Sequence, residues 1–113
     1  MYQITPYLAD FKTYRGSVTY GGGNPLLIVP ASPFRVYIAV CNTNGTMLYL
    51  SDDPNFTPPT CPWHVGADGT QEFFWERHGV LPTLALYGTV KSPLPGGGAI
   101  ISWFSMEWQP VSG

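Results

Sequence analysis

Charged side chains are scarce in this chain. They make up 11% of it, where an ordinary soluble domain carries about 25%. Five residues are basic, at Lys12, Arg15, Arg35, Arg77 and Lys91, and the formal net charge is −2. Cations this few and this scattered form no stripe able to neutralise a phosphate backbone, so no nucleic-acid partner is expected. Long hydrophobic runs are missing as well. Leu26 to Val29 and Ala99 to Ile101 are far too short to span a bilayer, so no membrane partner is expected either. Met1 to Pro6 offers no basic n-region and no apolar h-region, and no secretory leader is expected. Cysteine is limited to Cys41 and Cys61. The expected state of the two is free thiols in a chain made in a reducing cytoplasm.

What the chain has in abundance is aromatic residues, 15% of the total, with 12 Pro and 13 Gly. Aromatic side chains in a charge-poor chain predict that part of the surface is hidden in protein contacts. The Pro and Gly residues fall between apolar runs, which favours short strands joined by turns over disorder. At 113 residues the chain fits one domain with a real core.

Residues 1–24 show no clean period. Tyr2, Tyr7, Phe11, Tyr14 and Tyr20 are spread among polar residues, and Gly21-Gly22-Gly23 closes the segment. It is expected to be either an N-terminal arm on a glycine hinge, its aromatics filling pockets on a neighbour, or the first edge strand. Residues 25–113 are expected to form the folded domain. Within it, Ser32 to Asn42 alternates apolar and polar residues. An Asn-Thr-Asn-Gly turn follows, and Met47 to Ser51 alternates again, the strongest β-hairpin signal in the chain. Phe34, Val36, Ile38 and Val40 should share one face of the first of these strands, and Arg35, Tyr37, Ala39 and Cys41 the other. Further strands are expected near Leu26 to Val29, Trp63 to Val65, Gln71 to Arg77, Thr83 to Tyr87 and Ala99 to Gln109. No stretch keeps a 3.6-residue period with caps, so no helix beyond a turn is expected. The fold class is therefore all-β, a single small sandwich or barrel of about six to eight short antiparallel strands with a jelly-roll or immunoglobulin-like look. Phe34 or Val36, Ile38, Leu48, Leu50, Phe73, Trp75, Leu84, Leu86 and Ile101 should supply much of the core.

Catalytic and metal-binding patterns are sparse. His64 and His78 have the intrinsic pKa of a general base, yet neither is tied by spacing to a nucleophile. Cys61 and His64 lie three apart without the second pair a zinc site needs. Asp52, Asp53 and Asn55 begin like a calcium loop but lack its glycine and terminal Glu, and a turn before Pro54 accounts for them. No cofactor, no metal and no enzymatic activity are expected. Asn44-Gly45-Thr46 and Asn55-Phe56-Thr57 match the glycosylation triplet, but Asn44-Gly45 is better explained as a turn. Arg35, beside Tyr37, is expected to face outward, toward Glu76, a neighbouring subunit or solvent. Trp63, in a loop, and Trp108, near the C-terminus, are the tryptophans free to bind something. They offer a stacking platform for a sugar or, more simply, an interface. Tyr2, Tyr7, Phe11, Tyr14, Arg35, Tyr37, Tyr49, Trp63 and Trp108 together form the candidate interface.

One run of residues carries a resemblance. Leu27-Ile28-Val29-Pro30-Ala31-Ser32-Pro33-Phe34-Arg35 is similar to the Leu-x-Pro-x-Asn-Pro-x-Arg entry of small β-sandwich virion proteins of tailed bacteriophages. Val40-Cys41-Asn42 resembles the Ile-x-Asn strand end of that family, and Leu48-Tyr49-Leu50-Ser51 resembles its Tyr-Leu-Ser run. Thr83 to Gly88 and Ile100 to Glu107 stand where the family has its later strands. The chain departs at Ser32, where the family has Asn, and in a final strand that continues through Trp108-Gln109. The resemblance spans roughly residues 25–108. It implies a structural protein on the capsid or tail surface, such as a decoration or cement protein. Its expected partners are the major capsid protein or tail proteins; self-association, a trimer being favoured, is expected from the charge-poor, aromatic-rich composition. The alternative is a carbohydrate-binding module or fibre tip that contacts the host.

Overall fold

The computed structural model describes residues 9–110. Eight strands form two four-stranded sheets. They are β1 (Ala9–Tyr20), β2 (Leu26–Val29), β3 (Arg35–Asn42), β4 (Leu48–Ser51), β5 (Trp63–Val65), β6 (Thr70–Phe74), β7 (Leu86–Val90) and β8 (Ala99–Pro110). Sheet A has the order β1-β8-β3-β6 and sheet B the order β2-β7-β4-β5, and every pairing is antiparallel. First pairs with last, second with seventh, third with sixth and fourth with fifth, as in one long hairpin rolled into two layers. That winding is a jelly roll. The all-β sandwich expected from the alternation is present, and among the described residues helix is limited to a turn, α1 (Trp75–His78), and two 3₁₀ turns.

The core lies between the sheets. Ile38 and Val40 from β3, Phe73 from β6 and Ile101 from β8 meet Leu48 and Leu50 from β4, Val65 from β5 and Leu86 from β7. Ile38, Leu48, Leu50, Phe73, Leu86 and Ile101 were all expected inside, and all are buried. Close approach leaves little room for a side chain at several glycines, Gly88 and Gly16 among them. A Cβ on Gly88 would lie 2.7 Å from the Ile28 Cδ1, and one on Gly16 would lie 2.9 Å from the Trp103 ring.

The expected hairpin between β3 and β4 does not form. β3 lies in sheet A and β4 in sheet B, so Thr43 to Met47 crosses between layers. The alternation still holds, because Ile38 and Val40 face Leu48 and Leu50 across the core instead of beside them. Asn42 holds this crossing. Fully buried, its Nδ2 lies 2.8 Å from the Thr46 carbonyl oxygen and 3.0 Å from those of Val65 and Gly66. Its Oδ1 accepts from the Asn44 backbone N–H and Nδ2, each at 3.1 Å. Neither Asn44 nor Gly45 takes a positive φ, so the Asn-Gly pair is not the primed turn that its composition suggests.

Residues 9–20, expected to belong either to an arm or to the first edge strand, form the edge strand β1, twelve residues paired in unbroken register with β8. Met1 to Leu8, with Tyr2 and Tyr7, lie outside the described residues. The glycine run is a fixed turn: Gly22 and Gly23 take φ of 100° and 86°, and the Tyr20 hydroxyl donates to the Gly23 carbonyl at 2.8 Å. Trp75 leaves the core because β6 stops at Phe74. The chain turns into α1, where the Phe74 N–H donates to His78 Nδ1 at 2.9 Å and Trp75 stands 46% exposed. Phe34, 48% exposed, is also outside the core.

Candidate functional site

The outer face of sheet A is the most distinctive surface. Antiparallel register puts directly opposed residues on one face. Phe11 therefore stands beside Trp108, Thr13 beside Met106 and Arg15 beside Phe104 on the side away from the core. β3 and β6 extend these rows, with Tyr37 next to both Met106 and Phe74. Tyr37 packs on Phe74 with ring centroids 5.1 Å apart and edge-on to Phe104 at 6.2 Å. The Arg15 guanidinium lies 5.4 Å over the Phe104 ring. Apart from α1 at its border, no element among the described residues packs across this face. Two shallow grooves run over it. One, of about 460 Å³, is lined by Phe11, Val36, Tyr37, Phe74, Trp75 and Met106, with Glu72 and Glu76 at its side. The other, of about 480 Å³, is lined by Arg15, Ser17, Cys41, Ser102 and Phe104, with Gly16 and Trp103. The Tyr37 hydroxyl donates to the Glu72 carboxylate. Burial, and then that carboxylate, push the Tyr37 phenol up to about 12.

The candidate interface residues divide. Phe11, Tyr37 and Trp108 come together on this outer face. Tyr14 is exposed on the opposite face of β1, beside Ser105. Tyr49 sits on the outer face of sheet B, its ring edge-on to His64 at 5.2 Å. It borders a groove of about 550 Å³ with Tyr20, Phe56, Thr89 and Lys91, in which the buried Thr89 hydroxyl has no hydrogen-bond partner. Trp63 is not free: it packs against the core, edge-on to Phe73 at 4.8 Å.

Arg35 is the clearest reversal, since it is 2% exposed and turned inward. The pairing of β3 with β8 shifts register between Arg35 and Tyr37. Such a bulge puts two successive side chains on one face, so Val36 joins Tyr37 outside and Arg35 swings between the sheets. There its guanidinium donates to the carbonyls of Pro82 at 3.1 Å, Leu84 at 3.2 Å and Pro30. Burial lowers its pKa, and Glu107, its cross-strand neighbour, opposes that shift. Arg35 thus ties β3 to the segments entering and leaving sheet B, and no surface is left for a partner to read.

Phe74, Phe104 and Met106 belong to the open face and were not singled out from sequence, and Val36, which joins them, was expected on the core side. A signal was present in β8. Ile100, Phe104, Met106 and Trp108 alternate with Ile101 and Trp103, so both faces of that strand are apolar, the mark of a strand covered on both sides.

The described residues contain no group of three or more His, Cys, Asp or Glu side chains placed to hold a metal ion. His64 and His78 serve as packing partners, each edge-on to an aromatic ring. Cys41 and Cys61 are free. The Cys61 thiol is buried between the Leu50 and Trp63 carbonyls, at 3.0 and 2.8 Å, and burial pushes it up. Among the described residues no helix is long and apolar enough to cross a membrane.

No family model matches the chain, and no curated protein matches it. Among solved structures, the chain is similar to one in the capsid asymmetric unit of cyanophage Pam1. The TM-score is 0.44 at 12% identity, over 97% of this chain and 92% of that one. It is also similar to PliG of Aeromonas hydrophila, a periplasmic inhibitor of g-type lysozyme. There the TM-score is 0.31 at 13% identity, over 96% of this chain and 93% of that one.

Proposed function

We propose that this chain is a structural protein of a tailed-phage virion, a decoration protein that binds the shell and further copies of itself. The observation that carries the reading is the open outer face of sheet A. Phe11, Tyr37, Phe74, Trp75, Phe104, Met106 and Trp108 make it apolar and aromatic, and a face of that kind marks a contact with another protein. The motif run from Leu27 to Ser51 supports the same reading. So does the jelly-roll winding, which is common among capsid domains, although that is analogy at the level of fold. In this role the chain does no chemistry, is made in the host cytoplasm and ends on the capsid or tail surface.

The test is mass spectrometry of purified virions together with binding of the purified chain to shells stripped of it. The chain is expected in virions at a copy number commensurate with the shell. Phe11→Glu and Trp75→Glu, both at exposed positions, should weaken shell binding by about tenfold or more while the fold is kept. Absence from virions, or unchanged binding by both variants, overturns the proposal. A second reading, a carbohydrate-binding module that contacts the host, is favoured by the sheet B groove with Tyr49 and the unpaired Thr89 hydroxyl. Tyr49 resonances that move on addition of host glycans would support it.

A further inference from the structure

The four sheet edges are not alike. β5 has three residues, β2 has four with a register shift, and β6 has five and ends in a helical turn. Short, bulged or interrupted edges are how proteins avoid pairing with other chains. Among the described residues, β1 has none of these protections. It is twelve residues long, carries no proline and pairs with β8 without a register shift, and it stands at the end of sheet A. Of its cations, Arg15 lies over Phe104 on the outer face, and Lys12 stands opposite Glu107. Every second residue of β1 turns its N–H and C=O away from β8.

We infer that β1 is a pairing edge and that its occupant is β1 of a second copy, antiparallel about a twofold axis, so that two four-stranded sheets become one of eight. Self-pairing is argued from register and charge. The core sides of both copies stay on one side only if residues of the same face oppose each other, so the axis passes through a residue rather than between two. Near-complete overlap of the strand leaves Tyr14 or Arg15 on the axis. Arg15 would set two guanidiniums against each other. Tyr14 brings Thr13 opposite Arg15 of the second copy, Lys12 opposite Gly16 and Phe11 opposite Ser17, with no like charges facing. Tyr14 is itself 39% exposed and so available. This geometry builds a dimer rather than the trimer expected from composition. It rests on the strand edge alone, so a dimeric chain absent from virions would overturn the proposed function and leave the pairing intact.

The experiment is analytical ultracentrifugation of the full chain. The wild type should sediment at twice the 12.4 kDa chain mass. Tyr14→Lys and Tyr14→Glu, each placing like charges on the axis, should each raise the dissociation constant by about tenfold or more. An equimolar mixture of the two should associate again. Tyr14→Cys should form an intermolecular disulfide on mild oxidation, since directly opposed strand residues lie about 4.5–5.5 Å apart between Cα atoms, within disulfide reach. The wild type, with Cys41 and Cys61 alone, should not form that crosslink. A monomeric wild type at hundreds of micromolar would overturn the inference, as it would if β1 were covered by the chain's own residues or reserved for another protein. An oligomer that both charge variants leave as tight as the wild type would also overturn it.

Discussion

Arg35→Ala should remove a large part of the stability of this domain, and the structure fixes why. The guanidinium is buried and donates to three backbone carbonyls, those of Pro30, Pro82 and Leu84. All three belong to segments flanking sheet B, whereas Arg35 opens β3 of sheet A, so the bonds join the two layers at one end of the sandwich. A hydrogen bond from a charged donor contributes about 1.5–3 kcal/mol, and a carbonyl left buried without a partner costs about 1–3 kcal/mol. Three such bonds do not add in full, because the wild type also bears the cost of desolvating the guanidinium and leaves its Nε without a partner. A net loss of about 3–5 kcal/mol is therefore expected, against a total of about 5–15 kcal/mol for a domain of this size. Urea unfolding followed by tryptophan fluorescence and circular dichroism measures it, and the midpoint should fall with little change in slope. Arg35→Lys keeps the charge but not the planar fork, and should recover only part of the loss. A loss below about 1 kcal/mol for Arg35→Ala would refute the reasoning, because it would mean that water already serves these carbonyls.

Asn42→Ala should cost about 2–3 kcal/mol by the same assay, because the side chain satisfies partners on both sides of the crossing between β3 and β4. Phe73→Ala, in the core, should cost about 3–5 kcal/mol, whereas Trp75→Ala, on the exposed turn, should cost less than about 1 kcal/mol, and equal losses would contradict the placement of Trp75. Alkaline titration reports on Tyr37. Below pH 10 the phenol is neutral folded or unfolded, and above it the unfolded chain ionises while the folded one holds its proton to about 12. Stability should therefore fall across that interval, and Tyr37→Phe should fall less steeply in a comparison of urea midpoints at rising pH.

Sequence alternation located most strands but could not say which of them lie side by side. Ile38, Val40, Leu48 and Leu50 satisfy the same pattern whether β3 and β4 are neighbours in one sheet or face each other across the core. The Asn-Gly pair tipped the expectation toward a hairpin, because the bonds that decide otherwise run from Asn42 to Val65 and Gly66, far away in the chain. β1 was hard to see for a different reason. Its core side carries Tyr14, Gly16, Val18 and Tyr20, and the glycine sits there because the Trp103 ring occupies the space of a side chain. An apolar row interrupted by glycine looks irregular until the ring that covers it is known.

The open face shows how one local irregularity can move a functional assignment. Strict alternation puts Val36 in the core and Arg35 on the surface, and a surface arginine beside a tyrosine resembles a partner-binding residue. A single extra residue in β3 exchanges the two. It gives the core end a cation that finds backbone carbonyls, and it gives the outer face an apolar side chain beside Tyr37. The gain for the surface is continuity, since Val36 joins Phe11 and Trp75 in one groove. The bulge thus serves stability on one side of the sheet and contact on the other. The two effects separate by mutation. Arg35→Ala acts on unfolding, whereas changing Val36 to a charged residue should act on whatever the face binds, because its side chain already points away from the core.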